Sequence, residues 1–426
     1  MKSFIDCHCH AFNFVDIPMY LTLADKVNFG TVGRLKAAAG AILFLPKLLL
    51  DKNAIKNKVG EYKDFILFFE RALQRNVEMI LNEINGQLDE PDNTEILITP
   101  LVMDFDILLE QEMPAQKGKE PSVREQFKRL SGAINQIDFQ NFPHMKVCPF
   151  LGFDLRKLKK TDKDRLDGFK SFFNNNNTLG QSTIGNLDQG KLLGIKLYPP
   201  IGFNPNPSTL PPKYKEFYTW CCDEDIPLTV HCQTGSYSAG KEKKNLDGNT
   251  SPENWKRLLN RPGFNNLRIN FAHFGGETGT DDMFEPFRID KKSWTYIIIE
   301  LLKKYPNTYA DFSAYDYDKA EHRRNLMKIF EKDAEGDFDI DGEKNYKLKD
   351  KLIWGSDVPM VISANSYKKG HSQKGKSDYR YYFNGFTSSI NASKKLSQQQ
   401  KDTIILNITD KNPKAFLRIV GTLGAP

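Results

Sequence analysis

The chain has 426 residues, 39% hydrophobic and 12% aromatic, and its 60 basic residues exceed its 54 acidic ones by only 6. That is enough apolar material for a substantial core, which excludes global disorder, a collagen-like repeat and a small disulfide scaffold. The positive charge is mild and no helix gathers it into a basic stripe, so nucleic acid is not expected as a partner.

The opening MKSFIDCHCH lacks the basic, apolar and small-residue order of a signal peptide. No run reaches the roughly 18 apolar residues that a spanning helix needs. Cys7, Cys9, Cys148, Cys221, Cys222 and Cys232 suggest no disulfide framework, and a cytoplasmic setting is expected.

In chain order, β-rich runs fall at 3–10, 94–103, 145–153, 192–199, 226–232, 267–273, 308–315 and 351–357. Most are continuously apolar, as parallel strands covered on both faces should be. After the first connection their starts lie roughly 35–50 residues apart, room for a helix and two loops. Helical patterns fill several gaps. Residues 211–225 carry aromatics at helical spacing, 251–261 open on Ser, Pro and Glu, and 292–305 end in lysines that suit the helix dipole. Eight alternations predict an α/β fold, a (β/α)8 TIM barrel, as one domain over 1–426.

A long insertion after the first strand, 11–93, is too large for one connection. It holds the apolar run 37–50 and a helix near 61–85, and is expected to cover the barrel mouth. The sharper alternative is a membrane-surface or partner contact through 35–50. The tracts 113–125 and 358–390 read as exposed loops, and Asn-rich 172–181 as a loop without chemistry.

The chemistry begins at Asp6-Cys7-His8-Cys9-His10. Strand alternation puts His8 and His10 on one face with Asp6 beneath, where a carboxylate could orient one ring. Cys7 and Cys9 would point toward the helices. Alone, His-x-His is a weak signal, since two strand histidines more often pack than bind metal. Position strengthens it. His231, His273 and Asp357 also end predicted strands, at the face where barrel enzymes build their sites.

Lys196 lies on the fourth strand. Buried, its ammonium would require an ion pair with a substrate or site acid, or conversion to a carbamate bridging two metals; the alternative is a solvated, outward side chain. His144, His322 and His371 read as structural or surface residues.

Together, the Asp-x-His-x-His run, the lysine in GIKLYPP, the fifth- and sixth-strand histidines and GSDVP resemble the amidohydrolase superfamily. AHFGG and NITDKNPKAFLRI are especially similar to its amidohydrolase-related branch, metal-dependent hydrolases of the TIM-barrel fold. The resemblance implies that His8, His10, His231 and Asp357 hold a divalent ion. His273 would polarise substrate or water beside one ion, or ligate a second together with carbamylated Lys196. One ion is favoured, and zinc suits the ligand set.

The expected activity is hydrolysis of an amide, lactone or ester, with Asp357 moving the proton and the metal or His273 polarising the carbonyl. A nonoxidative decarboxylase is the runner-up, with Lys196 and Arg156 as carboxylate partners. A non-catalytic barrel docking through 35–50 is the reading from another class. Substrate contacts are sought at Tyr198, Gln233 and Tyr315 for a small molecule of unread identity. Oligomeric state is not legible.

Overall fold

The computed structural model describes residues 2–12, 71–88, 93–107, 110, 122–159, 164–234, 246–276, 284–285, 288–315, 317, 319–336, 338, 348–359 and 378–419. The run 37–50 with its docking surface 35–50, the tract 113–121, residues 360–377 and His371 lie outside the described residues.

Parallel strands follow in chain order: β1 (Lys2–Cys9), β2 (Thr94–Pro100), β3 (Met145–Val147), β4 (Phe150–Gly152), β5 (Gly194–Leu197), β6 (Leu228–Gln233) and β7 (Ile269–Gly275). A two-stranded antiparallel hairpin, β8 (Phe284–Glu285) and β9 (Arg288–Ile289), precedes the parallel strands β10 (Thr308–Asp311) and β11 (Leu352–Ile353). One ladder joins β1, β2 and β3; another runs β4, β5, β6, β7, β10, β11.

Two seams make these ladders one ring. β3 and β4 are one stave interrupted at Cys148-Pro149, because proline has no N–H for the ladder. Around the break the Cys148 N–H donates to Ile98 O at 3.1 Å and the Val102 N–H to Phe150 O at 3.0 Å. On the other side the Cys7 N–H donates to Trp354 O at 3.0 Å, and the Asp357 N–H to His8 O at 2.6 Å. With β1 and β11 joined, eight parallel staves close into the expected TIM barrel.

The helices are amphipathic covers. α1 (Leu73–Asn85) buries Val77, Ile80, Leu81 and Ile84, and α2 (Val123–Asn135) is capped by Ser122 accepting from the Glu125 N–H. α3 (Asp164–Asn176) and α4 (Pro212–Asp223) follow, then α5 (Leu246–Thr250) and α6 (Pro252–Leu259), the last with the expected Ser251 cap. α7 (Trp294–Lys304) starts at Ser293 and ends in Lys303 and Lys304, also as expected. α8 (Ala320–Glu335), α9 (Asp378–Asn391), α10 (Gln398–Leu406) and α11 (Asn412–Leu417) complete the series.

Two loop expectations fail: α9 occupies the end of the 358–390 tract, with Tyr379, Tyr382, Phe386 and Ile390 buried, and α3 runs on through Asn174, Asn175 and Asn176 where the Asn-rich stretch read as loop. Phe169 and Phe173 are buried, and packing outweighs the poor helix propensity of asparagine. The barrel floor is an apolar layer of Ile5, Cys7, Leu97, Phe150 and Ile353, joined by Phe416 and Leu417 of α11. All six cysteines are free thiols. Among the described residues no helix is long and apolar enough to cross a membrane.

Candidate metal centre

The site begins with an irregularity in β1. Between Asp6 and Cys9 this strand advances three residues while β2 advances only two, from Ile98 to Pro100. Such a β-bulge reverses the phase of alternation. Asp6, paired with Ile98, therefore faces the helices, where Oδ2 accepts from the Tyr379 hydroxyl at 2.8 Å. Its Oδ1 accepts from the main-chain N–H groups of His8 (3.0 Å) and Ser356 (3.1 Å). This corrects two expectations: Asp6 fastens backbone rather than orienting a ring, and Cys7 joins the barrel floor rather than the helix face. Burial pushes the Asp6 carboxyl up to about 6.

Beyond the bulge, His8 and His10 converge on Asp357. His8 Nε2 lies 3.3 Å and His10 Nε2 3.2 Å from Asp357 Oδ1, all three residues being buried. Their other nitrogens are occupied. His10 Nδ1 donates to Leu101 O at 3.0 Å, and His8 Nδ1 to Asp311 Oδ2 at 3.1 Å. With Nδ1 of each ring donating, both Nε2 atoms face the same carboxylate oxygen, and either an Nε2 proton or a shared cation must lie between them. These residues therefore fit a divalent metal ion by donor type and convergence. Burial pushes the Asp357 carboxyl up, but hydrogen bonding to His10 and His8 outweighs it and holds the group well below the carboxylate range.

Backbone conformation places these side chains. His273 (φ 67°) and Phe274 (48°), in the last residues of β7, and Ala314 (58°) and Asp357 (58°), after β10 and β11, are non-glycine residues in the left-handed region. Each such residue costs about 1–3 kcal/mol, a strain that concentrates at functional sites. Gly355 permits the approach of His8, since a Cβ there would lie 2.6 Å from the His8 Cβ.

His273 and His231 pair with each other, His273 Nε2 lying 3.1 Å from His231 Nδ1. Neither belongs to the His8–His10–Asp357 trio. Burial lowers both, His273 to about 4 and His231 well below its ordinary value. Lys196 faces into the barrel, 2% exposed, and its Nζ has no hydrogen-bond partner. The outward, solvated alternative is thereby overturned. Burial lowers this amine to about 8, against the opposing pull of Asp311 and Asp357.

The weaker substrate-contact expectations fare differently. Tyr198 packs its ring edge-on, 4.7 Å from that of His231, and Gln233 ends β6 beside Gly276. Arg156 is committed to Asp154, with Nη2 2.7 Å from Oδ2 and Nε 3.1 Å from Oδ1. Lys157, Asp104 and Asp106 tie the neighbouring loop together, Lys157 Nζ reaching both acids. Tyr315 is buried, its hydroxyl donating to His322 O at 3.3 Å, so it is scaffolding rather than a substrate contact.

Sequence reasoning missed Asp311 and Ser313, on and just after β10. Asp311 Oδ1 accepts from the main-chain N–H groups of His273 and Ser313, both at 3.0 Å, and Oδ2 from Asn270 Nδ2 at 2.6 Å. A signal was present, since the 308–315 run holds an aspartate, Asp311, in its middle, and β10 ends on it.

Residues 186–404 match the family model described as amidohydrolase (Amidohydro_2), just over half of the chain. No curated protein shows significant similarity to the sequence. Among solved structures, an uncharacterised TIM-barrel protein from Bordetella bronchiseptica is 14% identical, with 98% of this chain and 99% of that one covered and a TM-score of 0.48. 5-Carboxyvanillate decarboxylase from Sphingomonas paucimobilis is 10% identical, with 98% and 100% covered and a TM-score of 0.44. An amidohydrolase from Burkholderia multivorans with bound zinc is 10% identical, with 98% and 99% covered and a TM-score of 0.40. The family match extends from the loop before β5 into α10, through the strands that bear Lys196, His231 and His273 and past Asp357 after β11, and the chain belongs to the amidohydrolase family.

Proposed function

We propose that this chain is a metal-dependent hydrolase acting on an amide, lactone or ester carbonyl of a small molecule. The observation that carries this reading is the convergence of His8 Nε2, His10 Nε2 and Asp357 Oδ1, with each imidazole's Nδ1 already engaged. His8, His10 and Asp357 would hold one divalent ion, with His231 as the fourth protein ligand; zinc suits this set. A bound ion would supply Lewis acidity and lower the pKa of water toward about 7.

The chain's own residues do the rest. Asp357, with Oδ1 shared by His8 and His10, keeps its other oxygen to take a proton from the attacking water and pass it to the leaving group. His273 holds the His231 ring through their hydrogen bond. Tyr198 walls the site beside His231, and Gln233 stands at the rim.

Nonoxidative decarboxylation is the second reading, favoured by one observation: the buried Lys196 ammonium has an unpartnered Nζ suited to a substrate carboxylate. Isotopic oxygen from water in the product would support hydrolysis, whereas carbon dioxide release without it would support decarboxylation. Metal content per chain, on protein purified without added metal or chelator, tests the site itself. About one ion is expected in wild type and in Lys196→Ala. Two ions falling to one in the variant would make Lys196 a bridging ligand. No retained ion, and none bound on adding zinc, manganese or iron, would overturn the metal reading.

A further inference from the structure

We propose that Asp311 and Ser313 are positioning residues that set the tautomers of three site histidines, and so decide which imidazole nitrogens face a metal ion. The inference rests on the metal reading above and extends it to residues that touch neither metal nor substrate.

The argument starts from groups that can only accept. The Ser313 carbonyl lies 3.0 Å from His273 Nδ1, so that nitrogen carries the proton. His273 Nε2 then bears a lone pair, and His231 Nδ1, 3.1 Å away, must donate to it. His231 is thereby left with its own lone pair at Nε2. On the other side, Asp311 Oδ2 accepts from His8 Nδ1 at 3.1 Å and holds a proton there, so Nε2, facing Asp357, is the nitrogen left to give up its proton to a metal ion. The Ser313 hydroxyl lies 2.9 Å from both Nδ1 atoms and donates to Asp311 Oδ1, joining the two rings. One aspartate and one serine thus impose the same tautomer on His8 and His273 directly, and on His231 through His273.

His8, His273 and Asp311 are close enough to form a cation site of their own. Their facing atoms already satisfy one another, however, and Asn270 Nδ2 and two main-chain N–H groups complete the carboxylate. Orientation is therefore the role of this cluster.

Asp311→Asn inverts the device with little change of shape. The main-chain N–H groups of His273 and Ser313 hold the amide oxygen at the place of Oδ1, so the new NH2 faces His8 Nδ1. Asn270, whose Oδ1 has no partner, can turn its own amide to accept. His8 must then accept at Nδ1 and carry its proton at Nε2, where it blocks the metal.

The experiment reads imidazole 15N shifts in metal-free protein, and zinc affinity by chelator competition. Wild type is expected to show Nδ1–H at His8, His231 and His273. Asp311→Asn is expected to remove the proton from His8 Nδ1, leaving it at Nε2 alone, and to weaken zinc binding about 10- to 100-fold. Ser313→Ala, which keeps the carbonyl contact, is expected to weaken zinc less while shifting the ring nitrogens of His8 and His273. An Asp311→Asn protein with unchanged His8 shifts and wild-type zinc affinity would overturn the proposal. If that variant does not fold, unchanged shifts and affinity in Ser313→Ala would overturn it instead. Absence of zinc binding by wild type would sink the metal reading alone, because the shifts in metal-free protein still judge Asp311.

Discussion

At Asp357, burial and hydrogen bonding act in opposite directions, and hydrogen bonding wins. The carboxylate stays ionised in a dry place because two imidazoles converge on one of its oxygens. If it also moves the proton, Asp357→Asn should lower turnover by about 10²- to 10⁴-fold in protein that still contains metal, measured by steady-state kinetics beside metal analysis. Turnover within a few-fold of wild type would exclude that role. Gly355 acts by absence. A methyl group there would push against the His8 Cβ at 2.6 Å, so Gly355→Ala should destabilise the protein by about 1–3 kcal/mol and weaken metal binding. Denaturant unfolding and chelator competition would check both effects.

At the scale of elements, local pattern and tertiary packing compete openly in two places. In α3, asparagines continue a helix because Phe173 is fully buried, its ring edge-on at 5.6 Å to Trp220 of α4. Phe173→Ala should cost about 3–5 kcal/mol, whereas exposed Asn175→Ala should change stability by less than about 0.5 kcal/mol. Equal losses in thermal or denaturant unfolding would refute packing as the cause. In β1, strict alternation would put Asp6 on the histidine face, and a single extra residue puts it on the other. Nothing in DCHCH announces the bulge, because it depends on the register with β2 and on donors from Ser356 and Tyr379, more than 300 residues away.

For the whole molecule, the crowding of imidazoles in a closed barrel makes stability depend on pH. Burial lowers His10, His231 and His273, the last from 6.5 to about 4. At these histidines the unfolded chain therefore binds protons more readily than the metal-free fold, and their contribution to stability falls as pH drops from about 6.5 to about 4. Raised His8, Asp6, Asp106 and Asp154 oppose this trend. The histidine contribution is therefore read by difference: in thermal unfolding of chelator-treated protein across the window, wild type should lose more stability toward acid than His273→Asn. Parallel profiles for the two would contradict it.

The staves were legible because parallel barrel strands, covered on both faces, are continuous apolar runs whose ends can be read directly. The same rule marked His8, His10, His231, His273 and Asp357 as strand-end residues, and the structure brings all five to one rim. Facing, pairing and tautomer belonged to tertiary structure. The bulge that turns Asp6 outward, the carboxylate of Asp311 behind His8, the burial of Lys196 and the capture of Arg156 by Asp154 all depend on contacts between distant segments. Sequence determined which chemical groups stand at the rim, since side-chain identity and strand periodicity are local. Only the closed barrel decided which atoms meet, because hydrogen-bond partners are set by register and packing across the whole chain.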